Sequence, residues 1–196
     1  MRFNSMNIIK NSACLIIGLL FVGCAQLSPQ QIDFKPSIAT DNLVQGSGTA
    51  GLVVTDNRND KIIGYRGGAY EETSTIVALR PLDKVIEALT IKVLQQSGIE
   101  ISTAFPEMNI NINLDKLSYI TEDVKASIKK TTALAAISIE VNKNNTTFTN
   151  GFSSSQYIET VGYPSEEKNE ILLNDVFESV LQRMFSDPKL NQFLSE

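Results

Sequence analysis

The sequence predicts an α+β fold: an antiparallel β-sheet with two amphipathic helices packed on one face, plus a short C-terminal helix. Three observations carry this. Met108 to Asp115 alternates apolar and polar residues without a fault, and Ala133 to Asn142 repeats the pattern, as strands wetted on one side do. Leu82, Val85, Ile86, Leu89, Val93 and Leu94 recur at helical spacing, and so do Leu173, Val176, Phe177, Val180, Leu181 and Met184. A sheet with one apolar face and two helices with one apolar stripe each bury one another.

Taken in order, Gly51 to Thr55 is an apolar run of strand length, ended by the turn-rich Asp56-Asn57-Arg58-Asn59-Asp60. Lys61 to Arg66 reads as the return strand, closed by Gly67-Gly68, with a third short strand at Thr75 to Leu79. Pro81 suits the first turn of the helix that follows, and Gly98 stands where a left-handed cap ends it. The two alternating strands come next. Lys143-Asn144-Asn145 is a turn signal before a strand from Thr146 to Ile158. Ser165 caps the second helix, with Glu166 and Glu167 in its first turn, where the helix dipole favours anions. Asp187-Pro188 stops it, and Leu190, Phe193 and Leu194 imply a short terminal helix packing back.

The N-terminus speaks to location. Met1 to Lys10 carries Arg2 and Lys10 and no acid, and an apolar run from Ala13 to Val22 follows. This is the pattern of a secretory signal, too short to span a bilayer. Its end, Leu20-Phe21-Val22-Gly23-Cys24, looks like the bacterial lipobox. Cleavage is expected between Gly23 and Cys24, with diacylglyceryl and N-acyl lipid on Cys24 and no other cofactor. The domain reading is therefore residues 1–23 as signal peptide, 24–49 as lipidated Cys and flexible tether, in which Ile32 and Phe34 alternate with polar neighbours as a short edge strand does, and 50–196 as one α+β domain facing the periplasm.

Processing would leave 173 of the 196 residues, with 15 basic against 22 acidic, so the net charge moves from −5 to −7. An acidic domain without a basic face does not suit nucleic acid, where phosphate contacts dominate affinity. Cys14 leaves with the signal, and the sulfur of Cys24 is occupied, so no disulfide is available.

The chain contains no His, which removes His-dependent triads and most zinc sites. Ser127 to Lys130 and Ser165 to Lys168 match Ser-x-x-Lys, but the companion elements of penicillin-recognising enzymes are missing. The densest polar cluster is Asp56 to Asp60. As a cation loop it fails, because Arg58 and Lys61 put positive charge where ligands belong, and no metal is expected. Asp56, Arg58, Asp60, Gly64 and Tyr65 stand as a candidate recognition loop.

At Leu52-Val53-Val54-Thr55-Asp56-Asn57-Arg58, with Ile63-Gly64 following, the chain resembles the YajG family of uncharacterised bacterial lipoproteins. Their domain begins with an apolar strand running into Asp-x-Arg and then an apolar-Gly pair. The likeness continues through the Pro81 to Gly98 helix, the alternating strands, the Val176 to Met184 helix and the tail. It implies outer-membrane residence and supplies no established activity, so no catalytic residues are carried over. Ala25 after Cys24 agrees with outer-membrane sorting.

The expected function is that of a non-enzymatic lipoprotein, held to the outer membrane by lipid, that acts through contacts with an envelope protein partner as a structural or accessory subunit. The alternative is a lipid- or ligand-handling auxiliary lipoprotein of a transport system, which needs an apolar cavity. A carboxylate-dependent cell-wall hydrolase ranks third, and needs two acids facing each other in a cleft.

Overall fold

The computed structural model describes residues 28–39, 46–68 and 70–195, so the signal segment, Gly23 and Cys24 lie outside the described residues. Within them the chain forms eight strands in one sheet and three α-helices. The strands are β1 (Gln30–Ile32), β2 (Thr49–Asp56), β3 (Ile62–Tyr65), β4 (Thr75–Ala78), β5 (Glu100–Ile101), β6 (Met108–Lys125), β7 (Ile128–Lys143) and β8 (Thr146–Val161). The helices are α1 (Leu82–Gln96), α2 (Glu166–Phe185) and α3 (Pro188–Ser195).

The sheet is mixed, which corrects the antiparallel expectation. β6, β7 and β8 form the antiparallel meander that the alternation predicts. On its other edge, however, β6 takes β2 in parallel, from Ala50 against Met108 to Asp56 against Leu114. Further along, Gly64 of β3 pairs in parallel with Tyr119. The chain between β2 and β6 includes α1, and a crossover of that length lets the later strand run in the same direction. Alternation reports which face of a strand is wet, not the direction of its neighbour.

β3 is likewise not the return strand of β2. It pairs antiparallel with β4 and lies end to end with β2 along β6, which is long enough at 18 residues to hold both. That length was hidden by a change of phase. Leu114 is buried, then Leu117 and Tyr119, and the ladder slips between Leu114 and Lys116. A bulge of one residue at Asp115 lets the strand continue with the same face inward.

Met108, Ile110, Ile112 and Leu114 of β6 and Ala133, Ala135, Ile137, Ile139 and Val141 of β7 are all buried. They share one core with the α1 stripe and with Leu172 to Phe185 of α2. Local signals hold where the chemistry is local. Ser165 Oγ accepts from the Lys168 amide at 3.4 Å as helix cap, and Asn144 and Asn145 both take positive φ in the β7–β8 turn.

Within the stretch expected to be tether, residues 28–39 are docked. β1 pairs in parallel with β4, and Ile32 and Phe34 are buried, the Phe34 ring packing against Phe177 at a 60° tilt with centroids 4.9 Å apart. Beyond β1 the backbone runs along α2. The amides of Lys35, Ser37 and Ala39 donate to Asn174 Oδ1 (3.1 Å), Glu178 Oε2 (2.8 Å) and Gln182 Oε1 (2.8 Å). Two extended residues advance about 6.6 Å and four helical residues about 6 Å, so every second amide meets every fourth side chain. Two apolar anchors and this ladder offset the low hydrophobicity that suggested a free linker.

Candidate functional site

The five residues of the candidate recognition loop divide between two places. Asp56 ends β2, and Arg58 folds back on it: Nε donates to Oδ1 at 2.9 Å and Nη2 to Oδ2 at 2.8 Å. The Arg58 amide donates to Oδ1 as well, at 3.2 Å. Lys61 Nζ reaches Oδ2 at 3.0 Å and the Asp56 carbonyl at 3.1 Å, and Asp60 Oδ1 accepts from the Ile62 amide at 2.8 Å. The Asp56 carboxylate is thus satisfied within the loop, as in many Asp and Asn turns, while Arg58 Nη1 is buried without a hydrogen-bond partner among the described residues. Burial pushes the Asp56 carboxyl up, but the hydrogen bonds from Arg58 and Lys61 outweigh it and hold the group below the ordinary aspartate range. Asp56 is therefore a fixed anion rather than a proton donor.

This cluster lines an open groove of about 530 Å³ between the end of β2 and the start of α1, with Leu79, Arg80 and Asp83 on the far wall. Arg80 is turned away to Asp33, at 2.8 Å, and to the Phe34 carbonyl, at 2.9 Å. Its guanidinium serves the docked N-terminal segment rather than the groove.

Gly64 and Tyr65 belong elsewhere. Gly64 lies so close to β6 that an added Cβ would run into the Tyr119 carbonyl, so its role is close strand approach. Tyr65 faces the other end of the sheet and lines a second groove, about 310 Å³, with Gly67, Glu71, Ile120 and Tyr163. The Tyr163 ring lies against Gly67, which has φ +82°, and Lys129 Nζ stands 4.3 Å above that ring. The hydrogen bond from Lys129 to Asp123, at 2.6 Å, holds the ammonium above its ordinary pKa.

Sequence reasoning missed a buried polar chain that ties β1 to the core. Tyr119 Oη donates to Asn169 Oδ1, Asn169 Nδ2 donates to Gln30 Oε1 at 2.9 Å, and Gln30 Nε2 donates to the Glu166 carbonyl at 2.8 Å. Asn169 is fully buried, and burial holds the Tyr119 hydroxyl above its ordinary pKa. Next to this chain, Arg66 pairs with Glu166 and donates to the Ser28 carbonyl. The polar stripe Asn174, Glu178 and Gln182, at four-residue spacing on α2, was the legible signal for this docking.

Comparison with known proteins now adds a family. A family model described as uncharacterised lipoprotein, Lipoprotein_16, matches residues 36–195. The chain belongs to the Lipoprotein_16 family. Membership makes it a lipoprotein, attached to a membrane. No curated protein matches the chain. Among solved structures, a Xanthomonas campestris protein of family DUF330 is similar at TM-score 0.50 and 8% identity, covering 86% of this chain and 94% of that one. At that identity the likeness is one of fold. A minor lipoprotein from Acinetobacter baumannii (TM-score 0.41, 9% identity, 74% and 94% covered) is more distant. So is lipoprotein GNA1162 from Neisseria meningitidis (0.36, 11%, 71% and 99%).

Among the described residues no group of three or more His, Cys, Asp or Glu side chains is placed to hold a metal, and no helix is long and apolar enough to cross a membrane.

Proposed function

We propose that this Lipoprotein_16 member is a YajG-like, non-enzymatic lipoprotein of the outer membrane. It is anchored through lipid on Cys24 and acts as an accessory subunit by contact with an envelope protein. In this reading α1 and α2 cover one face of the sheet, and the other face and one edge serve contact.

The observation that carries the proposal is β8. It is a 16-residue strand that among the described residues pairs with β7 alone, so half of its backbone donors and acceptors face away from the sheet. From Thr147 to Ser155 its exposed side chains are small (Thr147, Thr149, Gly151, Ser153 and Ser155), so no bulky group on that face hinders a strand of another chain from adding. Only beyond them does the face turn to Tyr157, Glu159 and Val161. Arg183 takes the Ser153 carbonyl at 2.7 Å, so addition would use the Thr146 to Gly151 stretch.

The ligand-carrying alternative asks for an apolar cavity. The space enclosed by Val93, Ile110, Ile139, Phe185 and Leu190 is about 20 Å³, room for one water and not for an acyl chain. The hydrolase reading asks for two acids facing each other in a cleft. In the groove beside α1, burial pushes the Asp56 carboxyl up, but hydrogen bonds from Arg58 and Lys61 hold it below the ordinary aspartate range, which does not suit a general acid.

The test is a photo-crosslinker at Thr149 of the lipidated protein in intact envelopes. Capture of one protein in stoichiometric yield is expected. Capture of none, with the protein present in the membrane fraction, overturns the proposal.

A further inference from the structure

The described chain begins at one particular end of the sheet. From Ser28 onward it is clamped: Arg66 takes the Ser28 carbonyl, and Gln30 is bound by Asn169 and by the backbone of Glu166. Only three residues separate Ser28 from Cys24, four backbone steps that span at most about 14 Å when fully extended. With lipid on Cys24, this end is held within that distance of the bilayer surface.

The pairings identify what else lies there. Tyr65 follows Gly64, which pairs with Tyr119, so the ends of β3 and β6 coincide. Ile128 pairs with Lys125 on one side and with Val161 on the other, which brings in the start of β7 and the end of β8. Tyr65, Tyr70, Ile120, Val124, Val161 and Tyr163 are all exposed at this end, Val161 at 84% and Tyr70 at 63%. Single exposed apolar side chains are ordinary, but a cluster of them marks a contact surface. Val53, Leu79 and Phe105, also exposed, lie away from it.

We propose that this end is a membrane-contact rim that rests in the headgroup layer of the bilayer carrying the chain's own lipid. The proposal rests on the anchoring at Cys24. Tyrosine suits the role because its ring is apolar and its hydroxyl stays wet, the property that places it in interfacial belts. At this end Lys130 stands between Glu122 and Glu159 across the ladder, Lys129 pairs with Asp123 and Arg66 with Glu166, so attraction to anionic lipid is not what seats the rim. Val161 and Thr146 are 15 residues apart along β8, about 50 Å of extended strand. A seated rim therefore carries the β7–β8 turn, and the free stretch of β8 beside it, tens of ångströms from the membrane.

The chain has no Trp, so one introduced Trp reports alone. Val161→Trp and Thr146→Trp are placed separately in full-length lipidated protein, in phosphatidylcholine–phosphatidylethanolamine vesicles with brominated acyl chains. Val161→Trp is expected to shift to the blue and be quenched several-fold more than Thr146→Trp, with no loss in high salt. An Ile120→Trp reporter should behave like Val161→Trp and lose its quenching when Val161→Asp and Tyr70→Asp are added. Equal or absent quenching in protein that floats with the vesicles overturns the rim while leaving the anchor. Protein that fails to float overturns the anchor and the rim with it.

Discussion

Arg58 closes two hydrogen bonds on Asp56, two residues before it in the chain, at 2.9 and 2.8 Å, and both side chains are about nine-tenths buried. Asp56→Asn should leave the guanidinium buried without its counter-charge, which costs about 3 kcal/mol. Urea unfolding at neutral pH measures it. The same pair makes stability depend on pH. Its carboxyl sits below the ordinary aspartate pKa, so its contribution is full above that value and is lost as the pH falls through the depressed one. The acid limb of the stability profile should be shallower in Asp56→Asn than in the natural chain.

Gly64 and Gly151 make a matched pair. A Cβ on Gly64 meets the Tyr119 backbone, whereas one on Gly151 meets nothing within 4 Å. Gly64→Ala should destabilise by about 1–3 kcal/mol, as overpacking does. Gly151→Ala should be neutral or stabilise by about 0.5–1 kcal/mol, since a strand glycine is entropically costly. Parallel thermal melts decide the matter.

The N-terminal segment should be released by breaking what holds it. Asn169→Ala leaves Tyr119 Oη and Gln30 without their partner, at a cost of about 2–3 kcal/mol. Phe34→Ala removes the ring that packs against Phe177 and should cost about 3–4 kcal/mol. In both variants, hydrogen exchange at Gln30–Ile32 should quicken by more than the loss of global stability explains. Equal change across the whole sheet would contradict local docking.

The β7–β8 turn holds Asn144 at φ +51° and Asn145 at φ +61°. Asn145→Gly should stabilise by about 0.5–1 kcal/mol, because glycine takes that conformation without the Cβ penalty. A gain in urea midpoint with unchanged slope is the expected reading.

Much of the fold was legible from neighbouring residues. The stripes of α1 and α2, the Ser165 cap, the Asn144-Asn145 turn and the meander of β6, β7 and β8 all stand where their patterns put them. The second half of β6 was not legible, because the bulge at Asp115 breaks the alternation that marks a strand. The alternation at Ile32 and Phe34 marked the edge strand β1, but the docking of the stretch to Ala39 was obscured by its polar composition, which reads as linker until the matching side chains of α2 face it. Of the five candidate recognition residues, Asp56, Arg58 and Asp60 share one loop, while Gly64 and Tyr65 serve strand contact and the far groove.

By itself the sequence determined the elements whose causes lie within a few residues: periodicity, caps and turns, each a matter of local sterics and hydrogen bonds. Only the tertiary structure decided that β2 runs parallel to β6, that β3 shares the same edge, and that Ser28 to Ala39 is bound rather than free. These depend on surfaces from segments up to 143 residues apart meeting in register. Alternation is the same whichever way a neighbouring strand runs, and a polar stretch orders only when another element supplies its partners.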